Sequence, residues 1–116
     1  MGIKRIVPNL EVRDPDAMAR FLSELFGMER VMDMGWITTV AAQSQSVMQI
    51  SSATEGGSGT AVPTLSIEVD DFEDTLSRAR EMNATIPYGP VLEPWGVRRF
   101  YVTAPEGVLL NVLCHA

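Results

Sequence analysis

The chain has 116 residues, 46% hydrophobic and 21% charged, the size and make-up of one folded domain rather than a disordered segment. Nine basic against fifteen acidic residues leave a net charge of −6, and Lys4-Arg5 and Arg98-Arg99 are mere pairs, so nucleic acid is not an expected partner. No apolar run approaches the roughly 20 residues that span a bilayer, the lone Cys114 has no internal disulfide partner, and no charged-then-apolar leader opens the chain, so a cytoplasmic protein without a membrane partner is expected.

The first element reads as a strand over residues 6–12, with Leu10 and Val12 on one face and Asn9 and Glu11 on the other. Pro8 suits an edge or the strand's first residues, where its missing N–H costs no ladder bond. Asp14 is a good N-cap, Pro15 fits the first helical turn, and Gly27 supplies the stop. Between them Met18, Phe21, Leu22, Leu25 and Phe26 make one apolar helical stripe. Three strands follow, at about 29–34, 36–42 and 46–52, with Gln43-Ser44-Gln45-Ser46 as the turn between the last two. Residues 55–61, rich in glycine and serine, read as a flexible connector.

Beyond the connector the pattern restarts. Thr64-Leu65-Ser66-Ile67-Glu68-Val69-Asp70-Asp71 echoes Val7-Pro8-Asn9-Leu10-Glu11-Val12-Arg13-Asp14, and both end on a capping Asp. A helix with Phe72, Leu76, Ala79 and Met82 on its inner face comes next. A short strand near 85–88, a loop through Trp95, and strands at about 97–103 and 108–113 complete the chain. The order β-α-β-β-β occurs twice, which makes an internal repeat the organising feature. The expected fold is therefore α+β, a single domain over residues 1–116 made of modules 1–54 and 62–116 joined by the linker 55–61. The sheet face opposite each helix alternates toward polar residues, so the two faces are expected to enclose a cleft.

"NLEVRDPDAMARFLSELFGME" in the first half, with "LSIEVDDFEDTLSRARE" and "PWGVRRFYVTAPEGVLLNVL" in the second, resembles the vicinal oxygen chelate superfamily of glyoxalase I, bleomycin-resistance proteins and extradiol dioxygenases. The resemblance covers essentially the whole chain. It implies two βαβββ modules forming a curved mixed sheet around a cavity, commonly in a homodimer. Catalytic relatives hold a divalent metal with four side chains, two per module. The matching positions here are Val7, Gln49, Thr64 and Asn111, none of them ionised at neutral pH. His115, the only histidine, lies past the matching position. Metal-dependent lyase or dioxygenase activity is thus not expected, nor is any cofactor. The resemblance then points to the resistance-type branch, which sequesters small molecules.

Trp95 offers a flat apolar face for an aromatic ligand, with Arg98 or Arg99 stacking or pairing beside it; equally, it could be a half-buried anchor of its loop. Trp36 could form a second wall, or belong to the core or a dimer interface. Along the strand 97–103, Phe100 and Val102 are expected under the helix and Tyr101 toward the cleft. Strict alternation puts Arg99 on the Tyr101 side and Arg98 on the other, unless a bulge after Gly96 resets the parity. Asn9, Gln49, Ser51, Thr64, Ser66 and Asn111 could orient a polar organic molecule or simply bond one another. Glu11 and Glu68 are repeat-related carboxylates that could serve a lyase or isomerase as acid and base, or sit as charges on a wet rim. The scattered methionines suit core packing or an adaptable apolar surface. The expected function is metal-independent binding of an aromatic or polar organic compound, with no catalytic residue assigned; glyoxalase-like chemistry at Glu11 and Glu68, or at a non-standard metal site, is the alternative.

Overall fold

The computed structural model describes residue 5 and residues 7–42 and 51–116. The repeat is complete in the second half. There β3 (Leu65–Glu68), α2 (Phe72–Glu81), β4 (Thr85–Leu92), β5 (Val97–Thr103) and β6 (Leu109–His115) follow in the expected order. In the first half the described elements are α1 (Pro15–Phe26), β1 (Glu29–Asp33) and β2 (Thr38–Ala41). The architecture is α+β with mixed sheets.

Both helices start as the sequence predicts. Asp14 accepts from the Ala17 N–H at 3.1 Å, and Asp71 accepts from the Asp74 N–H at 3.0 Å. Each cap satisfies a donor that has no partner within its helix. Gly27 ends α1 in the left-handed conformation at φ 69°, where its N–H reaches Ser23 O.

The four-stranded sheet has the order β3-β6-β5-β4, with β3 parallel to β6 and the other pairs antiparallel. Its α2 side is the core. Phe100, Val102, Leu110 and Val112 are fully buried there against Phe72, Leu76 and Ala79 of α2 and Met18, Leu22 and Leu25 of α1. Phe72 and Phe100 meet edge to face with centroids 5.5 Å apart. The halves are also joined through Glu106 in the short turn after β5, whose carboxylate accepts from the N–H groups of Arg13 and Asp14 at 2.7–2.8 Å.

One expectation needs correction. Residues 7–12 are not a strand: they find no ladder partner among the described residues. By the repeat, that partner would come from the predicted strand 46–52, of which residues 46–50 lie outside the described residues, while Ser51 and Ser52 are in no strand. Residues 55–61 form a turn that lies against the sheet. Gly56 N–H bonds Thr60 O at 2.8 Å and Thr60 N–H bonds Gly57 O at 3.0 Å, closing a tight loop. That loop takes positive φ at Gly57, Ser58 and Gly59 in succession, a path that the two glycines make accessible.

Candidate ligand-binding face

β5 separates two environments by alternation. Arg98 lies on the α2 side, where it pairs with Glu73 and sits 4.6 Å above the Phe72 ring, so it is not part of the opposite face. Arg99 and Tyr101 lie on that opposite face, at 3% and 2% exposure. Both are covered rather than open to a cleft.

The β4–β5 turn brings their partners. Glu93 N–H bonds Val97 O at 2.7 Å and Gly96 N–H bonds Glu93 O at 3.0 Å, which places Trp95 at the tip of the hairpin. The Glu93 side chain folds back under that tip, 4% exposed, and Arg99 donates from Nε to its Oε2 at 2.7 Å, with Nη2 in ion-pair contact with the same oxygen at 2.7 Å. Glu93 also accepts from Tyr88 Oη at 3.0 Å and Ser58 Oγ at 2.9 Å. The guanidinium lies 5.0–5.4 Å from the ring centres of Tyr101, Tyr88 and Trp95, within the range of cation–π attraction. Trp95 keeps 54% exposure.

Burial alone would raise the Glu93 carboxyl, but the bonds from Arg99, Ser58 and Tyr88 and the Arg99 charge outweigh it and hold it below the ordinary glutamate range. Burial likewise opposes the charge on Arg99, and Glu93 and Tyr101 restore it with a net rise. The pair is therefore ionised and internally neutralised.

The loop 55–61 covers this cluster. Gly57 O accepts from Arg99 Nη2 at 3.3 Å, Ala61 O accepts from Tyr101 Oη at 3.0 Å, and Thr60 Oγ1 lies 2.8 Å from the same phenol. A β-carbon at Gly57 would come within 2.8 Å of Trp95 Cη2, so only glycine allows this approach.

Further along the same sheet face, Asn111 is 7% exposed and donates to Ser66 Oγ at 3.1 Å, while its Oδ1 has no partner among the described residues. Asn111 stands opposite Tyr101 on β5 and Ser66 on β3. Glu68 and His115 pair at 3.2 Å on the exposed end of the sheet. Thr64 is exposed just before β3, its N–H bonded to Leu109 O.

The remaining predicted residues lie apart. Val7, Asn9, Glu11 and Trp36 line a cavity of about 570 Å³ in the first half, together with apolar residues of α1 and β2. Trp36 is 75% exposed there. In the second half β6 fills the space between β3 and β5. The cavity lies between residues 7–12, α1 and β2, with residues 43–50 outside the described residues, and is not assigned to a ligand. Gln49 lies outside the described residues. So the structure gathers Trp95, Arg99 and Tyr101 in one cluster and Ser66 and Asn111 in another. It leaves Arg98, Trp36, Asn9 and Thr64 outside both.

Sequence reasoning missed Glu93, Tyr88, Ser58, Thr60 and Gly57. The signal for Glu93 was a hairpin extended from 85 to 103, which sets Val91 opposite Arg99 and puts Glu93 at the turn. For the loop residues no local signal existed, because their partners lie about forty positions away.

Comparisons with known proteins bear on the family and the fold. The family model of the Glyoxalase/Bleomycin resistance protein/Dioxygenase superfamily matches residues 2–112. The chain belongs to that superfamily. Among solved structures it resembles TnmS3, an antibiotic binding protein from Streptomyces sp. CB03234, at 19% identity and TM-score 0.73, covering 100% of this chain and 99% of that one. TioX from Micromonospora sp. ML1 is 22% identical with TM-score 0.64 and 97% of both chains covered. A superfamily member from Sphaerobacter thermophilus is 18% identical with TM-score 0.63 and 90% of both covered. At these identities the likeness is one of fold. No curated protein matches the chain.

Proposed function

We propose that this superfamily member is a metal-independent small-molecule-binding protein. In this reading an aromatic or polar organic compound is held on the sheet face opposite α2, between the Trp95 tip and the Ser66–Asn111 pair. The whole chain acts as one cytoplasmic domain of two modules, 1–54 and 62–116, and works as a homodimer. Sequestration needs no chemical step, only aromatic surface for affinity and polar groups for orientation.

The observation that carries the reading is the exposed Trp95 ring backed by a buried, self-neutralised Arg99–Glu93 pair. The indole gives a flat surface, and the ion pair beneath it holds the ring without demanding a charged guest. Among the described residues the buried Asn111 Oδ1 has no partner, which leaves one acceptor beneath the same face unused. That TnmS3 is an antibiotic binding protein of the same fold supports the same class of ligand.

The metal held by catalytic relatives does not fit the residues present. Val7 has no donor atom in its side chain, and Thr64 and Asn111 are neutral oxygen or amide groups. Among the described residues no three His, Cys, Asp or Glu side chains gather as a metal site would require.

The test is thermal stabilisation by a panel of neutral aromatic antibiotics and metabolites, because a ligand at a hundredfold its Kd adds about 2.7 kcal/mol to the native state. Trp95→Ala should fold and lose the stabilisation. An undiminished response in Trp95→Ala, or near-stoichiometric metal in protein purified without chelator, would overturn the reading.

A further inference from the structure

The loop 55–61 holds the Trp95–Arg99–Tyr101 cluster by polar contacts. Its carbonyls answer Arg99 Nη2 and Tyr101 Oη, and its hydroxyls answer Glu93 and Tyr101. At Gly57 a bare peptide unit lies against the edge of the Trp95 ring. The loop anchors itself with no large apolar side chain: Glu55, Ser58, Gly59 and Ala61 are exposed and Thr60 is half-buried. A segment held by hydrogen bonds alone, with little buried apolar area, belongs to the low-stability end of a fold.

We infer that the loop 55–61 is a built-in occupant of the binding face, displaced by a neutral ligand that presents carbonyl acceptors beside a flat ring. The inference rests on the proposed binding function and adds to it both the ligand's chemistry and the way it gains entry. The chemistry follows from what the loop leaves behind. Its departure frees one N–H of Arg99, the Tyr101 hydroxyl and one oxygen of Glu93, while the Nε hydrogen bond and the Nη2 ion-pair contact between Arg99 and Glu93 stay intact. Two donors and one acceptor then await a partner beside the indole, around a pair with no net charge. Amide, imide or ketone carbonyls replace the loop's own carbonyls one for one. A carboxylate would instead meet Glu93 at close range, and a hydrocarbon would leave the donors unsatisfied, which is costly in a buried site. The closed loop also lowers apparent affinity by the fraction of molecules in which the face is open.

The probes are N-methylphthalimide, a planar neutral imide, with phthalate dianion and indane as charged and apolar comparators. Binding is followed by amide and indole NMR shifts and by hydrogen exchange of the Gly56 and Thr60 amides. N-methylphthalimide should bind the wild-type chain in preference to both comparators and speed exchange at Gly56 and Thr60. Gly57→Ala, which cannot keep φ +88° cheaply or approach Trp95, should bind the imide roughly tenfold tighter. Thr60→Val, which removes the hydroxyl that donates to Gly57 O within the loop and meets Tyr101 Oη, should tighten it several-fold and decides the matter if Gly57→Ala fails to fold. Imide binding that depends on Trp95 yet leaves the loop amides protected, or that weakens in the folded Thr60→Val protein, overturns the displacement and leaves the binding face standing. Binding of phthalate ahead of the imide overturns the ligand class. No binding by wild type or any folded variant overturns the displacement and the binding face together.

Discussion

The two faces of β5 are built from neighbouring residues and solve opposite problems. Toward α2, Phe100 and Val102 are fully buried in an apolar core, and Arg98 stays at the margin over the Phe72 ring. Toward the loop 55–61, Arg99 and Tyr101 are as deeply buried, but every contact that holds them is polar or aromatic. Equal burial therefore hides unequal energetics. The α2 face gains from removing apolar area from water. The opposite face must offset the desolvation of two charges through geometry, which makes it less a source of stability than a specific, adjustable surface.

The sharpest way to test that difference is to delete from each face in turn. Phe100→Ala should cost about 4 kcal/mol, since a fully buried aromatic leaves both lost transfer energy and a cavity beneath Phe72. A domain of this size has about 5–15 kcal/mol in total, so urea unfolding should show a large drop in midpoint. A small drop would mean that the α2 face is not the main core.

Breaking the other face should cost less and should depend on acid. Glu93→Gln keeps the size of the side chain but leaves Arg99 without its counter-charge, for a loss of about 3 kcal/mol near neutral pH. The Glu93 carboxyl is depressed in the folded state, so the folded form binds its proton less readily than the unfolded form. Its contribution is therefore complete above the unfolded glutamate range and disappears as pH falls through the depressed value. Unfolding followed at pH 7 and again below pH 4 should show the wild-type and Glu93→Gln proteins converging in acid. A constant gap between them would remove the ion pair from the account.

How much of this contrast is legible in the sequence follows from the range of each interaction. The caps at Asp14 and Asp71 and the stop at Gly27 are local devices, and the helical stripes show their period over a dozen residues. Strand parity separated Phe100 from Tyr101 and Arg99 because a pleat alternates whatever surrounds it. Glu93 escaped because the strand near 85–88 is expected to stop short of Gly89 and Pro90. β4 instead continues to Leu92, with shifts in register on both sides of Tyr88 that interrupt the ladder around those residues. The loop's role escaped for a different reason. Glycine and serine signal conformational freedom, and only the guanidinium and phenol some forty residues away turn that freedom into a fixed path. Of the side chains expected to line a cleft, Arg99 and Tyr101 are covered by that same loop, while Trp95 stays exposed.

The smallest expected effect separates the two arginines. Arg98→Ala removes an ion pair with Glu73 in which both side chains are substantially exposed, together with one cation–π contact on Phe72. Water and salt already weaken such a pair, so the loss should be no more than about 1 kcal/mol and should shrink further at high ionic strength. Ligand-induced stabilisation should be untouched, because Arg98 faces α2 and reaches neither Trp95 nor the loop. Arg99→Ala, one position along, should abolish that stabilisation by removing the group that holds the indole, Glu93 and the loop together. If Arg98→Ala instead impaired binding while Arg99→Ala spared it, the face toward the helix would be the one that meets the ligand, and the division drawn along β5 would have to be reversed.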